Sequence, residues 1–348
     1  MRVKTVRQAF VSFHRHAGST NGWNAWKKAI LLTILFLGFP GLGHVAQAQE
    51  YPTQPITMLI SNAPGAGTDV CSRVMAQGAS KVLNQEIIPV NKPGAGGAVA
   101  VAVLTSSRPD GYTILGATTS ALTVVPQMES VSYDPLKDVV PVIHFGTFHQ
   151  AIVVRADSPL KSFKDLIEFA RKNPGKANLG IVGVGNPPHL DFELVKMQEK
   201  VDIAVIPFGG AAPAITALLG GHVTAAGVGA SGWMPNYKAG KVRILATTTE
   251  KRIIPDVPAL REFGYPYYGI STECYFMAAP KGIPESIVKK LEGAFSKAME
   301  SPEFRTTTES FFVYDPNPLS RQAFRDLVES LYRKNGEIIQ KAKLGKQG

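Results

Sequence analysis

The chain has 348 residues, among them 37 Lys and Arg, 27 Asp and Glu, and two cysteines. Two cysteines exclude a disulfide-stapled miniprotein and a zinc site built from cysteines. The formal net charge of +10 is concentrated at the N-terminus, because the first 48 residues hold six cations and no acid, which leaves 31 cations against 27 anions. Those cations are scattered among acids, which argues against a nucleic-acid partner, since such a partner needs a dense basic stripe.

The N-terminal segment has the pattern of an export signal. A basic flank that ends at Lys28 precedes an apolar run from Ala29 to about Leu42, as in a secretory signal peptide. Ala46 and Ala48 form an A-x-A site, so we predict a signal peptide over residues 1–48, cleaved near Ala48, and a periplasmic protein. The alternative is a membrane anchor, but about 14 apolar residues are fewer than the roughly 20 that span a bilayer. The flank has no Arg-Arg pair, so export of a folded, cofactor-loaded protein is not indicated.

Past Tyr51, short β-rich runs alternate with amphipathic helical stretches, which favours an α/β architecture with a largely parallel sheet. Strands are predicted at 56–61, 86–91, 112–118, 151–156 and 177–182, and a further β-rich run covers 201–208. Helices are predicted at 70–83, 162–173, 188–200 and 212–221. Ser162 and Asp165 have the spacing of a capping pair. Two or three amphipathic packing helices are predicted after Pro284.

Small and hydroxyl residues follow four of the strands, at 61–69, 118–120, 183–186 and 208–211. In an open parallel sheet such turns gather at the carboxyl edge, where ligands bind. In the first turn, Gly65 and Gly67 allow a ligand to approach the backbone, and Thr68 and Asp69 can cap the next helix, whose amides can hold an anion. The alternative is a purely structural turn. His189, in the third turn, is equally compatible with a structural cap and a ligand contact.

No constellation of residues supports catalysis. The sequence lacks a G-x-S-x-G elbow and an H-E-x-x-H pair, and His144, His149, His189 and His222 show no metal-ligand spacing. We therefore expect a binding protein with no catalytic residue, metal or cofactor. Cys71 and Cys274 leave two alternatives open, either a disulfide in an oxidising compartment or two buried thiols.

Several segments between Tyr51 and about Lys343 are characteristic of one protein family in their order and spacing. They are YPTQPITMLISNAPGAGTDVCSR, NKPGAGG, RPDGYTILGAT, YDPLKD, the G-x-G-N-x-x-H-L turn, PFGGAAPAITALLGGHV, YKAGKVRILATT, PDVPALREFGY and AAPKGIP. On these segments the chain resembles the Bug-type extracytoplasmic solute receptors of tripartite tricarboxylate transporters. The resemblance implies a two-lobed periplasmic binding protein (type II-like), each lobe a mixed sheet flanked by helices. Lobe 1 would combine 51–150 with 273–348, and lobe 2 would comprise 151–272.

The resemblance also implies a function, namely capture of a small organic carboxylate in the cleft between the lobes and its delivery to a membrane permease by a monomeric receptor. Main-chain amides, hydroxyls and bridging waters would hold the ligand. The matching positions are Ala63, Pro64, Gly65, Gly67, Thr68, Asp69, Thr118, Thr119, Ser120, Gly183, Gly185, Asn186, His189, Phe208, Gly209, Gly210 and Ala211. The alternatives are a ligand sensor for a membrane signalling kinase and an enzyme that uses the glycine loops on a phosphorylated substrate.

Four departures from the family pattern bear on the ligand. Ala66 interrupts what is usually a run of three glycines, and Pro187 and Pro188 replace hydroxyl residues. The segment GVGAS at 227–231 lacks an Asp that many members use for a ligand amine, and Phe208 stands where Tyr is common. Together the four changes make the pocket less polar than is usual in the family, so we expect a carboxylate with an apolar or aromatic body rather than an amino acid.

Overall fold

The computed structural model describes residues 51–183, 187–249, 252–264, 273–311, 313 and 318–345. The predicted signal peptide and its cleavage site lie outside these residues. Within them, no helix combines the length and the apolar character needed to cross a bilayer.

Ten strands form two five-stranded sheets in the described part of the chain. The strands are β1 (Ile56–Ile60), β2 (Ile87–Asn91), β3 (Thr113–Thr118), β4 (Val139–Phe148), β5 (Gln150–Arg155), β6 (Ala177–Val182), β7 (Ile203–Phe208), β8 (Ala225–Gly229), β9 (Val242–Thr247) and β10 (Glu273–Pro280). The first sheet has the order β2-β1-β3-β10-β4 and the second has the order β7-β6-β8-β5-β9.

Both sheets are mixed. In the first, β1 pairs in parallel with β2 and β3, whereas β10 is antiparallel to β3 and β4. In the second, β6 pairs in parallel with β7 and β8, whereas β5 is antiparallel to β8 and β9. The expectation of a largely parallel sheet thus holds for four of the five strands in each sheet. The fifth strand, β10 in the first sheet and β5 in the second, runs the opposite way.

The helices that flank the sheets are α1 (Gly67–Leu83), α2 (Ala98–Thr105), α3 (Ser120–Thr123), α4 (Val125–Met128), α5 (Phe163–Lys172), α6 (Pro187–Glu199), α7 (Ala211–Leu219), α8 (Ala230–Lys238), α9 (Glu285–Met299), α10 (Pro302–Ser310) and α11 (Arg321–Lys341). Helices α1 and α9 cover one face of the first sheet, where Met75, Phe295 and Met277 belong to one hydrophobic core. Helices α2 and α11 cover the other face, where Phe324 packs against Phe276. Side chains alternate between the faces of a strand, so burial of both faces accounts for the apolar sequence of β10.

Helix α5 begins where the sequence predicts it. The Ser162 Oγ accepts a hydrogen bond from the backbone N of Asp165 at 3.2 Å, and Asp165 Oδ2 accepts one from the backbone N of Ser162 at 2.9 Å. This reciprocal pair is the predicted capping box, which is thereby confirmed. It orients the helix so that Phe163 and Leu166 are buried against the second sheet.

Helix α1 begins three residues earlier than predicted. Its N-cap is Ala66, whose side chain makes no capping hydrogen bond, so the expectation that Thr68 and Asp69 cap the helix is wrong. The reason is a turn in the preceding loop: Gly65 adopts a φ of +82° and the backbone N of Ala66 donates to Ala63 O at 3.2 Å. The chain therefore enters the helix at Gly67, and Thr68 and Asp69 lie in its first turn.

The two cysteines are buried thiols and not a disulfide. Cys71 belongs to the core on the α1 face of the first sheet, whereas Cys274 belongs to the core on the opposite face. The sheet itself separates the two sulfur atoms. Of the two alternatives left open by the sequence, the structure therefore supports the buried thiols.

The two sheets are joined at a crossing of nearly continuous strands. Strand β4 ends at Phe148 and β5 begins at Gln150, so only His149 separates them. At this crossing Phe148 pairs with Glu273 in the first sheet and Gln150 pairs with Gly229 in the second. Gln150 is thus the first strand residue of the second sheet, while the assignment of whole segments to lobes stays a prediction.

Candidate ligand-binding site

The Asp69 side chain accepts hydrogen bonds from the first predicted binding loop and from its neighbours. Its side chain is 5% exposed; Oδ2 accepts from the backbone N of Gly65, and Oδ1 accepts from Arg73 Nε and Asn91 Nδ2, each at 2.8 Å. Desolvation disfavours the charged form, but these hydrogen bonds and the Arg73 charge hold the pKa of Asp69 below its usual value. Both carboxylate oxygens are thus engaged inside the loop. The neighbouring residues 63–65 are exposed.

The second predicted loop is joined to the first residues of β10. The backbone N of Thr119 donates to Cys274 O, and Thr119 Oγ1 accepts from the backbone N of Cys274, both at 3.0 Å. Ser120 Oγ donates to Glu273 Oε1 at 2.8 Å, and the Thr118 hydroxyl also bonds to this carboxyl group. Two of the three predicted ligand residues in this loop, Thr118 and Ser120, therefore form hydrogen bonds with the Glu273 carboxyl group.

Tyr275 connects strand β10 to the first loop. Its hydroxyl is hydrogen-bonded to the Thr68 side chain, and a Cβ placed on Gly67 would lie 2.7 Å from that hydroxyl oxygen. Glycine at 67 is therefore needed for the close approach of α1. Burial, together with the nearby Cys71 and Glu273, raises the pKa of Tyr275 well above its usual value. The first two predicted loops thus meet over the start of β10.

The third and fourth predicted loops meet in the second sheet. The backbone N of Gly183 donates to Phe208 O at 3.0 Å. Gly183 has a φ of +71°, which favours glycine, and both Gly183 and Gly209 are exposed with open space where a Cβ would stand. Gly210 is the N-cap of α7, which begins at Ala211. Gly185 and Asn186 lie outside the described residues.

His189 is buried in the first turn of α6 and faces its own helix. Its Nε2 lies 3.6 Å from Glu193 Oε1, which also accepts from Lys196 Nζ at 2.8 Å. Desolvation opposes ionisation of Glu193, but the neighbouring His189 and the hydrogen bond from Lys196 lower its pKa. Across the described ranges, no three His, Cys, Asp or Glu side chains are grouped so as to hold a metal ion.

Phe148 occupies the space beside Gly229 at the crossing between the sheets. A Cβ placed on Gly229 would overlap the Phe148 ring, so no side chain fits there while the ring keeps its position. The ring also stacks on Tyr275, with centroids 5.9 Å apart and planes at 27°. Phe148 remains partly exposed. An aromatic ring therefore lies next to the GVGAS segment, whose lack of an Asp the sequence had indicated.

A second contact between the two halves is apolar. Leu190 and Leu194 on α6 pack with Ile338 and Ile339 near the end of α11, and with Val124 beside α3. The beginning of α11 is anchored on the first sheet through Phe324. Helix α11 thus joins the first sheet to a helix of the second.

Glu273, Tyr275 and Phe148 were not among the residues predicted from the sequence. Glu273 is the only residue of β10 that is not fully buried, and it precedes an otherwise apolar run. That charge at the head of an apolar strand is a detectable signal. Tyr275 and Phe148 carry no such signal, because only the pairing of β10 with β3 and β4 brings them to the loops.

Comparison with known proteins identifies the family. A family model described as the tripartite tricarboxylate transporter family receptor matches residues 71–344. The chain belongs to this family. A UPF0065 protein of Cupriavidus necator is 36% identical over 312 residues, which cover 89% of this chain and 94% of the relative. The protein BugT of Bordetella pertussis is 30% identical over 82% of this chain and 87% of the relative.

Solved structures agree with this assignment. The periplasmic binding protein BugD is 28% identical with a TM-score of 0.73, covering 85% of this chain and 100% of BugD. An R. palustris protein solved with adipate is 27% identical with a TM-score of 0.75, covering 84% and 99%. MatC of Rhodopseudomonas palustris, solved with malate, is 26% identical with a TM-score of 0.72, covering 83% and 100%. The prediction of a two-lobed binding-protein fold with mixed sheets is confirmed, and the receptor's homologues are periplasmic.

Proposed function

We propose that this receptor captures a small organic carboxylate in the periplasm and delivers it to the membrane permease of a tripartite tricarboxylate-type transporter. The observation that carries the proposal is the meeting of two glycine- and hydroxyl-containing loops over Tyr275 and Glu273. Family relatives that were solved with adipate and malate support the ligand class. The choice of ligand would be determined by the loops of this site and by the residues of β10 beneath them, since the fold itself is shared with those relatives.

The proposed ligand contacts are mainly backbone amides and hydroxyls. Gly67 and Thr68 lie in the first turn of α1, where backbone N–H groups lack helical acceptors and attract an anion. Asp69 is proposed to position this turn, since its carboxylate oxygens are bonded inside the loop. His189 is proposed to orient α6 through Glu193. The remaining predicted contacts, including Gly185 and Asn186, are kept in the proposal.

The ligand is proposed to have an apolar or aromatic body. Two rings support this: Phe148 lies over Gly229, and Phe208 packs close to Gly180, where a Cβ would be 3.0 Å from the ring Cε2. Both rings remain partly exposed. They offer apolar surface where a ligand amine or hydroxyl would need a polar partner.

The proposal also covers the export of the protein and its oligomeric state. The first 48 residues are proposed to direct the chain to the periplasm and to be removed near Ala48, after which a monomer without catalytic activity binds the ligand. Intact mass of the protein recovered from the periplasm tests the cut, and its scattering mass tests the oligomeric state. A mass that includes the first 48 residues would contradict cleavage.

A thermal-shift screen on residues 49–348 tests the ligand class. The probes are benzoate, phenylacetate, adipate, malate, citrate, aspartate and glutamate. A ligand at 100 times its Kd stabilises the native state by about 2.7 kcal/mol, so a true ligand gives a clear shift. We expect shifts with phenylacetate or benzoate. Shifts with citrate alone would contradict the apolar body, and shifts with amino acids alone would contradict the inference from the missing Asp.

A further inference from the structure

The Glu273 carboxyl group lies among groups proposed to bind the ligand. Its Oε1 accepts from Ser120 Oγ at 2.8 Å, and the Thr118 hydroxyl also bonds to it. In the ladder, Glu273 faces Phe148 on β4. Glu273 is the first residue of β10 and the only residue of that strand that is not fully buried.

No cation compensates the Glu273 carboxylate among the residues that the structure describes. The facing groups on β3 and α3 are the two hydroxyls, the facing group on β4 is Phe148, and the titratable His149 follows it. On β10 itself the neighbour is Tyr275, which α1 approaches with Thr68 and the Cys71 thiol. Desolvation raises the pKa of Glu273 above its usual value, although the two hydrogen bonds act in the opposite direction.

The carboxylate and a bound anion compete for the same hydrogen atoms. A hydroxyl has one proton to donate, so while Ser120 and Thr118 donate to an ionised Glu273 they cannot donate to a ligand. A second carboxylate brought to these hydroxyls also repels the first, as in sites where two carboxyl groups cannot both be ionised. Protonation of Glu273 removes both obstacles at once.

We propose that Glu273 makes ligand capture proton-linked: an anionic ligand binds together with one proton, which Glu273 takes from solvent, and the hydroxyls of Thr118 and Ser120 then turn to the ligand. The inference rests on the proposed function, because it concerns regulation of the same site. Since binding raises the proton affinity of Glu273, linkage requires that lower pH tightens binding. A receptor of this kind binds tightly where protons are abundant and releases its ligand more readily where they are scarce.

The experiment is calorimetric titration of the mature protein with phenylacetate and with adipate, from about pH 8 to about pH 6, in buffers of different ionisation enthalpy. With a one-proton linkage, the affinity rises by up to about tenfold per pH unit on acidification. The buffer dependence of the heat counts the protons taken up, and we expect a value between zero and one. This measurement needs no variant, so it stands even if a substitution fails to fold.

Glu273→Gln provides the decisive comparison. The amide is isosteric with the protonated acid and carries no charge, and its NH2 group donates as the acid's O–H does, which leaves the Ser120 proton for the ligand. We expect E273Q to bind with the affinity that the native protein reaches at low pH, with no proton uptake and no pH dependence. At about pH 8 it therefore binds more tightly than the native protein, whereas loss of a merely structural residue would weaken binding. Glu86→Gln, at an exposed position before β2, is the matched control and leaves the native pH dependence intact.

The outcomes separate the inference from the proposed function. If no carboxylate binds at any pH, the proposed function fails and the inference fails with it. If carboxylates bind the native protein without proton uptake, only the inference fails. If the pH dependence persists in E273Q, it arises from another group, and the role of Glu273 is refuted.

Discussion

The ring of Phe148 packs directly on the backbone of Gly229, and the two residues belong to different sheets. One residue lies at the end of β4 and the other at the end of β8. Because a Cβ at 229 would overlap the ring, the contact makes position 229 depend on a ring contributed by the other half of the molecule.

Gly229→Ala should therefore be destabilising. Overpacking of this kind costs typically about 1–3 kcal/mol, and chemical denaturation measures it. The matched control is Gly293→Ala in the middle of α9, where the added methyl meets open space and should be neutral or stabilising. Adding Phe148→Ala to G229A should recover part of the loss. A G229A protein as stable as the native protein would contradict the contact.

Asp69→Asn should destabilise the first binding loop. The buried carboxylate accepts hydrogen bonds from Gly65, Arg73 and Asn91, and removal of a charged acceptor of this kind costs about 1–3 kcal/mol. Because the folded pKa of Asp69 is lowered, its stabilisation is present above the unfolded pKa and is lost as the pH falls through the folded pKa.

The free energy of unfolding of native protein and D69N should accordingly differ at neutral pH and converge in strong acid. Urea denaturation at about pH 7 and about pH 3 measures both. Asp202→Asn, at an exposed position before β7, is the control and should change little at either pH. A difference that grows on acidification would refute the assigned role of Asp69.

Leu194→Ala should loosen the contact between the halves as well as lower stability. Removal of a buried leucine side chain costs about 2–5 kcal/mol. Leu194 lies on α6 and packs against α11. Leu166→Ala removes a leucine that is also buried, from the core of the second sheet alone. Small-angle scattering should show a larger radius of gyration for L194A and an unchanged one for L166A at a temperature where both remain folded. Equal radii would contradict the coupling.

Neither cysteine should react readily in the native protein. Both are buried, and burial raises the pKa of the Cys71 thiol to about 12, so Cys71 remains protonated at neutral pH. A chromogenic disulfide reagent should label two thiols in the unfolded protein and react slowly with the folded one. An intact mass that shows a disulfide in the oxidised, folded protein would contradict the placement of the two residues on opposite faces of the first sheet.

Local sequence signals predicted the parts of the fold that depend on neighbours in the chain. Ser162 and Asp165 are three residues apart, and their capping box is present as expected. The start of α1 was misplaced because the turn at Gly65 could not be derived from residue types alone. Cys71 and Cys274 stayed undecided because the answer depends on which face of β10 carries Cys274.

In the candidate site, too, the sequence predicted only those residues that local patterns mark. Thr118 and Ser120 were predicted from their place after a strand, whereas Glu273, which bonds to both, is 153 residues from Ser120. No pattern in the sequence predicts that β10 lies between β3 and β4 in the sheet. Only that insertion, in antiparallel register, brings Glu273, Tyr275 and Phe148 to the predicted loops.

The passage from β4 to β5 through His149 alone has a mechanical consequence. A connection of one residue between two hydrogen-bonded strands behaves as a torsion joint and not as a flexible tether, because only a few backbone dihedrals are available to change. The halves can then twist about the crossing but cannot drift apart. A permease that meets this receptor would therefore meet two halves whose separation at the crossing is fixed by a single residue.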